Sequence, residues 1–336
     1  MFKEFIESDY TPSNPGSVKV HYLRISVTDR CNERCIYCFP QDLGFLSKKG
    51  DQLSFEEMHA VVIHGAIKHG FRDFRITGGE PLVRKGTLPF IQRLTRTEGV
   101  SSVRLSTNGT LLGSYARELK EAQIAGINVS LDTLDPSLYK KITGGDIEPV
   151  LEGIEECRKV GIKPIKLNTV LLRGINEDEI LSLIDYAAER NLVIRFIELM
   201  PLSYTGKISR ANFLSVYELK RRLEKLDTLE PLDTRLGQGP AKYFRMHSRN
   251  AIVGFIGALS DFHFCDNCNK MRLTSDGFIR PCLGNHLEID IKGVLRPSPD
   301  PSGLYKVFES ALQKKPPEHS FRETYQPGRA MTAIGG

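Results

Sequence analysis

Between Val20 and Leu199 the chain repeats one local pattern, an amphipathic helical stretch that stops near Gly or Asn and is followed within a few residues by a β-branched apolar run. The strand-like runs fall at 20–27, 73–77, 102–106, 127–131, 163–170 and 193–199, six in all. Helix boundaries agree with them. Ser54 with Glu57 and Ser215 with Glu218 have the spacing of capping boxes, and Asp135 followed by Pro136 reads as an N-cap with proline at the first helical position. Gly70, Gly126 and Gly161 stand where helices are expected to end. Strands alternating with helices pair in parallel through right-handed crossovers. The pattern therefore restricts the chain to a doubly wound sheet or a barrel with fewer than eight strands. Periodicity does not choose between the two.

After residue 235 the helical rhythm stops. Gly237, Gly239 and Pro240 open a stretch with short β-like runs at 251–258 and 271–273, which predicts a smaller α+β segment over 236–336 beside a first domain over 1–235. The tail from Gln313 is rich in Pro and Lys and reads as extended or mobile, ending in Ile334-Gly335-Gly336. A length of 336 residues with 40% hydrophobic side chains supplies a sizeable core.

The longest apolar stretch, Ala251 to Leu259, is far too short to cross a bilayer, and Glu4, Glu7 and Asp9 stand where a targeting peptide would be basic. A cytoplasmic location without a membrane partner is expected. The net charge is only +5, with no long block of like charges, which argues against a nucleic-acid partner.

In a reducing compartment seven cysteines, divided as three, three and one, point to metal ligation rather than disulfides. Cys31-Asn-Glu-Arg-Cys35-Ile-Tyr-Cys38 places three thiolates within eight residues just after the first strand, where a loop can wrap round a cluster. A zinc ion needs a fourth ligand, and none lies close in sequence, although a distant residue can supply one. Cubane iron–sulfur clusters usually take four thiolates, so three leave one iron open to a substrate or cofactor. Cys265-Asp-Asn-Cys268, followed after thirteen residues by Cys282, forms a second trio. His263 or His286 can complete that trio as a structural zinc site, the mark of a zinc-stabilised binding module. Cys157 keeps helical spacing with Val150, Ile154 and Val160 and belongs to the core. The eight histidines lack metal-binding spacing, and none is assigned a catalytic role.

The predicted strand ends carry polar groups. Arg75-Ile-Thr-Gly-Gly-Glu-Pro81 closes the second, Ser106-Thr-Asn-Gly109 follows the third and Ser130-Leu-Asp-Thr133 lies at the fourth. Lys166 and Asn168 fall in the fifth, and Arg195 and Met200 lie about the sixth. In parallel α/β folds ligands bind at the carboxyl ends of strands. Adjacent Gly78 and Gly79 let the backbone approach a ligand closely. Planar arginine forks suit phosphate oxygens, although an arginine here can also span a carboxylate such as Glu80 or Glu198.

The C-x-x-x-C-x-x-C spacing, with an aromatic residue before the last cysteine, resembles the signature of radical S-adenosylmethionine enzymes. Their glycine-rich segment is similar to the Gly-Gly-Glu-Pro run. Nearly the whole chain, with its second trio spaced C-x-x-C-x13-C and its Gly-Gly end, resembles the GTP 3′,8-cyclase family of molybdenum cofactor biosynthesis. That resemblance implies an α/β fold, a partial (β/α)6 TIM-like barrel whose mouth is closed by the C-terminal α+β segment. It implies a lyase with two [4Fe-4S] clusters on Cys31, Cys35 and Cys38 and on Cys265, Cys268 and Cys282. One open iron would take S-adenosyl-L-methionine and the other the guanine of GTP.

Carried over residue by residue, the resemblance implies S-adenosylmethionine contacts from Tyr37, Gly79, Ser130 and Met200. It implies GTP contacts from Arg24, Arg75, Ser106, Lys166, Lys270, Met271 and Arg272. Arg195 would be catalytic, as would Gly335 and Gly336, whose tail enters the active site. Ser106 stands where the family commonly has threonine and Lys270 where it commonly has arginine. In the implied reaction a 5′-deoxyadenosyl radical removes the C3′ hydrogen of GTP and a C3′–C8 bond forms. A reducing electron donor and a downstream cyclic pyranopterin monophosphate synthase are the implied partners, and a homodimer is compatible with the sequence. The alternative is a radical S-adenosylmethionine enzyme that modifies a peptide. Such maturases also carry C-terminal auxiliary clusters, usually with more than three cysteines.

Overall fold

In a computed structural model, which describes residues 19–39, 46–47, 50–202, 208–233, 236–237, 239–323, 325–326 and 328–335, all six expected runs form strands. They are β1 (Tyr22–Ser26), β2 (Asp73–Thr77), β3 (Ser102–Thr107), β4 (Ile127–Ser130), β5 (Ile165–Leu171) and β6 (Val193–Glu198). Each pairs in parallel with the next in chain order. Side chains alternate across every strand, so Leu23, Ile25, Phe74, Ile76, Leu105, Val129, Leu167 and Phe196 join the buried core. The intervening Arg24, Arg75, Arg104, Ser130, Lys166 and Arg195 line the inner cavity.

A six-strand array leaves two edges of unpaired N–H and C=O groups. The rest of the chain covers both. It forms β7 (Leu229–Leu232), β8 (Lys242–Met246), β9 (Ala251–Ile256), β10 (Lys270–Leu273), β11 (Phe278–Arg280) and β12 (Ile289–Asp290). β9 adds parallel to β6 and β10 parallel to β1, with antiparallel strands outside them, giving the order β12-β11-β10-β1-β2-β3-β4-β5-β6-β9-β8-β7. Eight neighbouring strands are thus parallel, and the sheet stays open as a partial barrel. The C-terminal segment was expected as a unit closing the mouth. It does line the cavity, through Phe264, Leu283, Phe321 and Thr332, and its strands also extend the same sheet at both sides, because long-range pairing satisfies edges that local periodicity cannot see. Residues 234 and 235, at the expected division, lie outside the described residues.

Two local expectations need correction. Ser54 and Glu57 do make the reciprocal capping box, but Ser215 only accepts from the Glu218 N–H, while the Glu218 carboxylate binds Arg173 and Arg222. Gly126 is not the terminator of helix Leu112–Glu121, because Gln123 takes the left-handed position at φ 56°. Gly126 instead opens β4, where a Cβ would lie 2.9 Å from the Pro164 carbonyl.

The tail is neither extended nor loose over its described residues. Just before it Asp300 caps a helix, Pro301–Gln313, that the sequence reading missed, and its Phe308 packs on Gly65 and Phe71. Farther on, Phe321 packs with Leu202, Ala258 and Leu259 in a second small core, and Thr332 and Ile334 are buried. These partners are remote in sequence, so composition gave no sign of them.

Candidate functional site

Strand direction places the two cysteine trios. Cys31, Cys35 and Cys38 follow β1 and stand at its carboxyl end. Cys265 and Cys268 precede the parallel neighbour β10 and therefore stand at the amino end, to which Cys282 returns after antiparallel β11. A five-residue strand rising about 3.3 Å per residue separates the two ends by roughly 17 Å. The second trio therefore lies at the opposite end of the strands from the first, with the cavity between them.

All six cysteines line one cavity of about 360 Å³. Among the described residues no three His, Cys, Asp or Glu side chains converge to hold a single metal ion. His263 is bonded to Asp266 and His286 is stacked on Tyr325. A zinc ion draws its thiolates to within about 2.3 Å of one point, whereas the irons of a cluster accept thiolates that stand apart. The donor set fits two such clusters, each with three thiolates.

The first trio is held by backbone contacts. Arg34 and Ile36 donate N–H groups to Thr143 and Ile142 at the end of helix Pro136–Thr143, and Cys38 and Phe39 turn back onto the Cys35 carbonyl. Gly78 and Gly79 pack against the entry to this loop. The Gly79 N–H donates to Thr28 at 2.7 Å, Glu80 donates to Arg30 at 2.8 Å, and a Cβ on Gly79 would stand 2.3 Å from the Arg30 carbonyl. The glycines are thus needed for chain packing before any ligand arrives. Tyr37 donates to Asp132 at 2.6 Å. Burial pushes the Cys31 and Cys38 thiols up to about 12, the Glu33 and Glu80 carboxyls to about 7 and Asp132 to about 6. Incoming iron would displace thiol protons in this setting.

Between the two ends lies a cationic row. Register sets Arg272 beside Arg24, Arg24 beside Arg75 and Arg75 beside Arg104 across four adjacent parallel strands. Among the described residues seven cationic side chains line the cavity, these four with Lys166, Arg195 and Lys270, against Glu33 and Glu198. Neither Glu80 nor Glu198 is spanned by an arginine. Glu80 accepts from Thr107, Asn108 and Leu82, and Glu198 from Val216, Leu259 and Ser260. The Nε of Arg24 and the Nε and Nη2 of Arg195 are buried without hydrogen-bond partners. Burial and mutual repulsion hold Arg24 and Arg195 below the ordinary arginine range and bring Arg272 to about 10, Lys270 to about 8 and Lys166 to about 7. Crowded cations with unused donors are arranged for a polyanion.

Tyr37, Gly79, Ser106, Ser130 and Met200 line this same cavity. Met271 does not. Strand alternation sends its side chain into the core between Lys270 and Arg272, leaving only its backbone for a ligand. Gly335 reaches the carboxyl ends of β1 and β2, where its carbonyl accepts from Arg272 and a Cβ on it would meet Thr77, Ser26 and Gly78. Gly336 lies outside the described residues.

Sequence reasoning missed Arg104, Asn128, His319 and Thr332, all of which line the cavity. Arg104 was readable from alternation on β3, two residues before Ser106. His319, kept neutral with its pKa lowered to about 4 by burial, and Thr332 carried no local signal.

Comparison with known proteins gives two family matches, Radical SAM superfamily over residues 25–187 and Molybdenum Cofactor Synthesis C over residues 192–321. The chain is 41% identical over 320 residues to the GTP 3′,8-cyclase of Pelotomaculum thermopropionicum, covering 95% of this chain and 98% of that one. It is 43% identical over 319 residues to the GTP 3′,8-cyclase of Moorella thermoacetica, covering 95% and 98%. Streptococcus suis SuiB bound to S-adenosylmethionine shares the fold at a TM-score of 0.58 and 18% identity, over 92% of this chain and 75% of that one.

Proposed function

The chain belongs to the GTP 3′,8-cyclase family, and from that premise we propose that this cavity carries both halves of a radical cyclisation of GTP. The enzyme is a lyase that uses two [4Fe-4S] clusters and S-adenosyl-L-methionine and acts in molybdenum cofactor biosynthesis. When bound, S-adenosylmethionine on the first cluster supplies the 5′-deoxyadenosyl radical that takes the C3′ hydrogen of GTP before the C3′–C8 bond forms.

In this reading Cys31, Cys35 and Cys38 hold the first cluster, and Tyr37, Gly79, Ser130 and Met200 orient S-adenosylmethionine beside it. Cys265, Cys268 and Cys282 hold the second cluster at the far end, where guanine would meet the open iron. The triphosphate lies over Arg24, Arg75, Lys166, Lys270 and Arg272, with Ser106 and the Met271 backbone beside it. Arg195 offers its unused donors to the reacting nucleotide. Gly335 and Gly336 act at the tail, of which Gly335 is fixed by Arg272, so the tail helps exclude water from a radical that would attack any adjacent C–H bond. The division at residues 235 and 236 then separates an initiating part from a substrate-binding part that share one sheet.

The observation that carries this reading is the arginine row lying at one level between the two trios. A triphosphate bears about four negative charges, enough to offset such a row. We propose further that a reducing donor serves the first cluster, that the product passes to a cyclic pyranopterin monophosphate synthase, and that a homodimer works in the cytoplasm. None of the described helices is long and apolar enough to cross a membrane.

The test is anaerobic reconstitution with iron and sulfide, followed by a search for 5′-deoxyadenosine. Its formation should require GTP. Formation that does not depend on GTP would transfer the case to a peptide substrate.

A further inference from the structure

Lys315 lies just beyond helix Pro301–Gln313, and its backbone N–H still bonds to Leu312. Its ammonium nitrogen lies 2.9 Å from the Lys270 carbonyl, 2.8 Å from the Pro281 carbonyl and 3.6 Å from the Cys268 sulfur. An ammonium has three N–H donors, and these contacts use all three. Two of them tie together the chain beside Cys268 and the residue just before Cys282, so both cysteine loops are referred to one cation. The third aims the charge at a thiolate. Four residues later the backbone N–H of His319 serves Cys265. The stretch 315–319 thus supplies donors to two thiolates of the second trio.

The first trio has different surroundings. Cys35 lies 3.8 Å from the Glu33 carboxylate, with Asp132 also acting on it. Hydrogen bonds to cluster sulfurs and nearby positive charge favour the reduced, more negative state of an iron–sulfur cluster, and carboxylates oppose it. The two trios thus differ at one thiolate each: an ammonium faces Cys268 in the second, whereas carboxylates face Cys35 in the first, where Cys31 accepts from the Glu33 N–H.

We propose that Lys315 is a positioning residue of the second trio whose ammonium donates to the Cys268 thiolate and raises the reduction potential of the cluster held there. The proposal rests on the two-cluster reading above. The test uses the full chain with Cys31, Cys35 and Cys38 replaced by Ala, so that only the second site reports. After reconstitution, iron is counted and the midpoint potential is read by redox titration with electron paramagnetic resonance. About four iron per chain is expected in this background, the content of one cubane.

Lys315→Met should move the potential to a more negative value, and Lys315→Arg should keep it near that of the unsubstituted chain. A mere staple would leave the potential of any assembled cluster unmoved. If the Met variant loses its cluster, Lys315→Gln decides, because it keeps an N–H donor without the charge and should also shift negative. An unchanged potential in the deciding variant overturns the role of Lys315. Zinc in place of iron overturns the cluster reading itself and the proposal with it.

Discussion

Among Arg195, Arg75 and Arg104 the buried ammonium of Lys166 loses its proton near pH 7, first because burial removes its water and then because the arginines repel it. An unfolded lysine keeps that proton to about pH 10.4. Between those values the unfolded chain binds the extra proton, so for this group stability rises with pH above about 7 and the charged form opposes folding below it. A polyanion reverses the balance by favouring the ammonium. GTP binding at pH 8 should therefore take up a proton, and affinity should fall as pH rises above about 7. Calorimetry in buffers of different ionisation heat measures the uptake, which Lys166→Met should lower, leaving the share of Lys270, whose pKa is about 8. Equal uptake in both proteins would exclude Lys166 from the triphosphate site. The residue was visible in the sequence at a strand end, but its low pKa was not, because the repelling arginines come from other strands.

At the scale of elements, the C-terminal arm joins the ends of the cavity. It leaves helix Pro301–Gln313 beside the second trio, buries Phe321 and Thr332, and brings Gly335 to Arg272 and to the Gly78 turn beside the first trio. Its last two residues bear none of the cysteines. Deleting Gly335 and Gly336 should therefore abolish product formation while leaving the spectra of both clusters unchanged. Full turnover in the truncated chain would reject a role for the tail. The Gly-Gly end was legible as a resemblance, whereas the course of the arm was not. Its apolar residues are too few and too irregularly spaced to show a period, and they become buried only against Leu202, Ala258 and Leu259.

For the whole molecule, residues 1–235 contain the six-strand array, but β9 and β10 complete its two edges and Phe308 packs onto its first long helical stretch. A fragment ending at residue 235 should show no cooperative unfolding transition, although the full chain should unfold as one unit when followed by circular dichroism during heating. A stable fragment would mean that the edges need no partner. The sequence by itself determined the six parallel strands, the two thiolate trios and most cavity-facing side chains. Each of these follows from short-range rules, namely period-two alternation, the spacing of soft ligands and polar groups at strand ends. Only the tertiary structure decided that the trios stand at opposite ends of neighbouring strands, that Met271 turns to the core, and that four arginines share one level. Those outcomes depend on which strands pair and in what register. Pairing between β1 and β10 joins positions some 248 residues apart, and the free energy that selects it belongs to the completed sheet rather than to either segment.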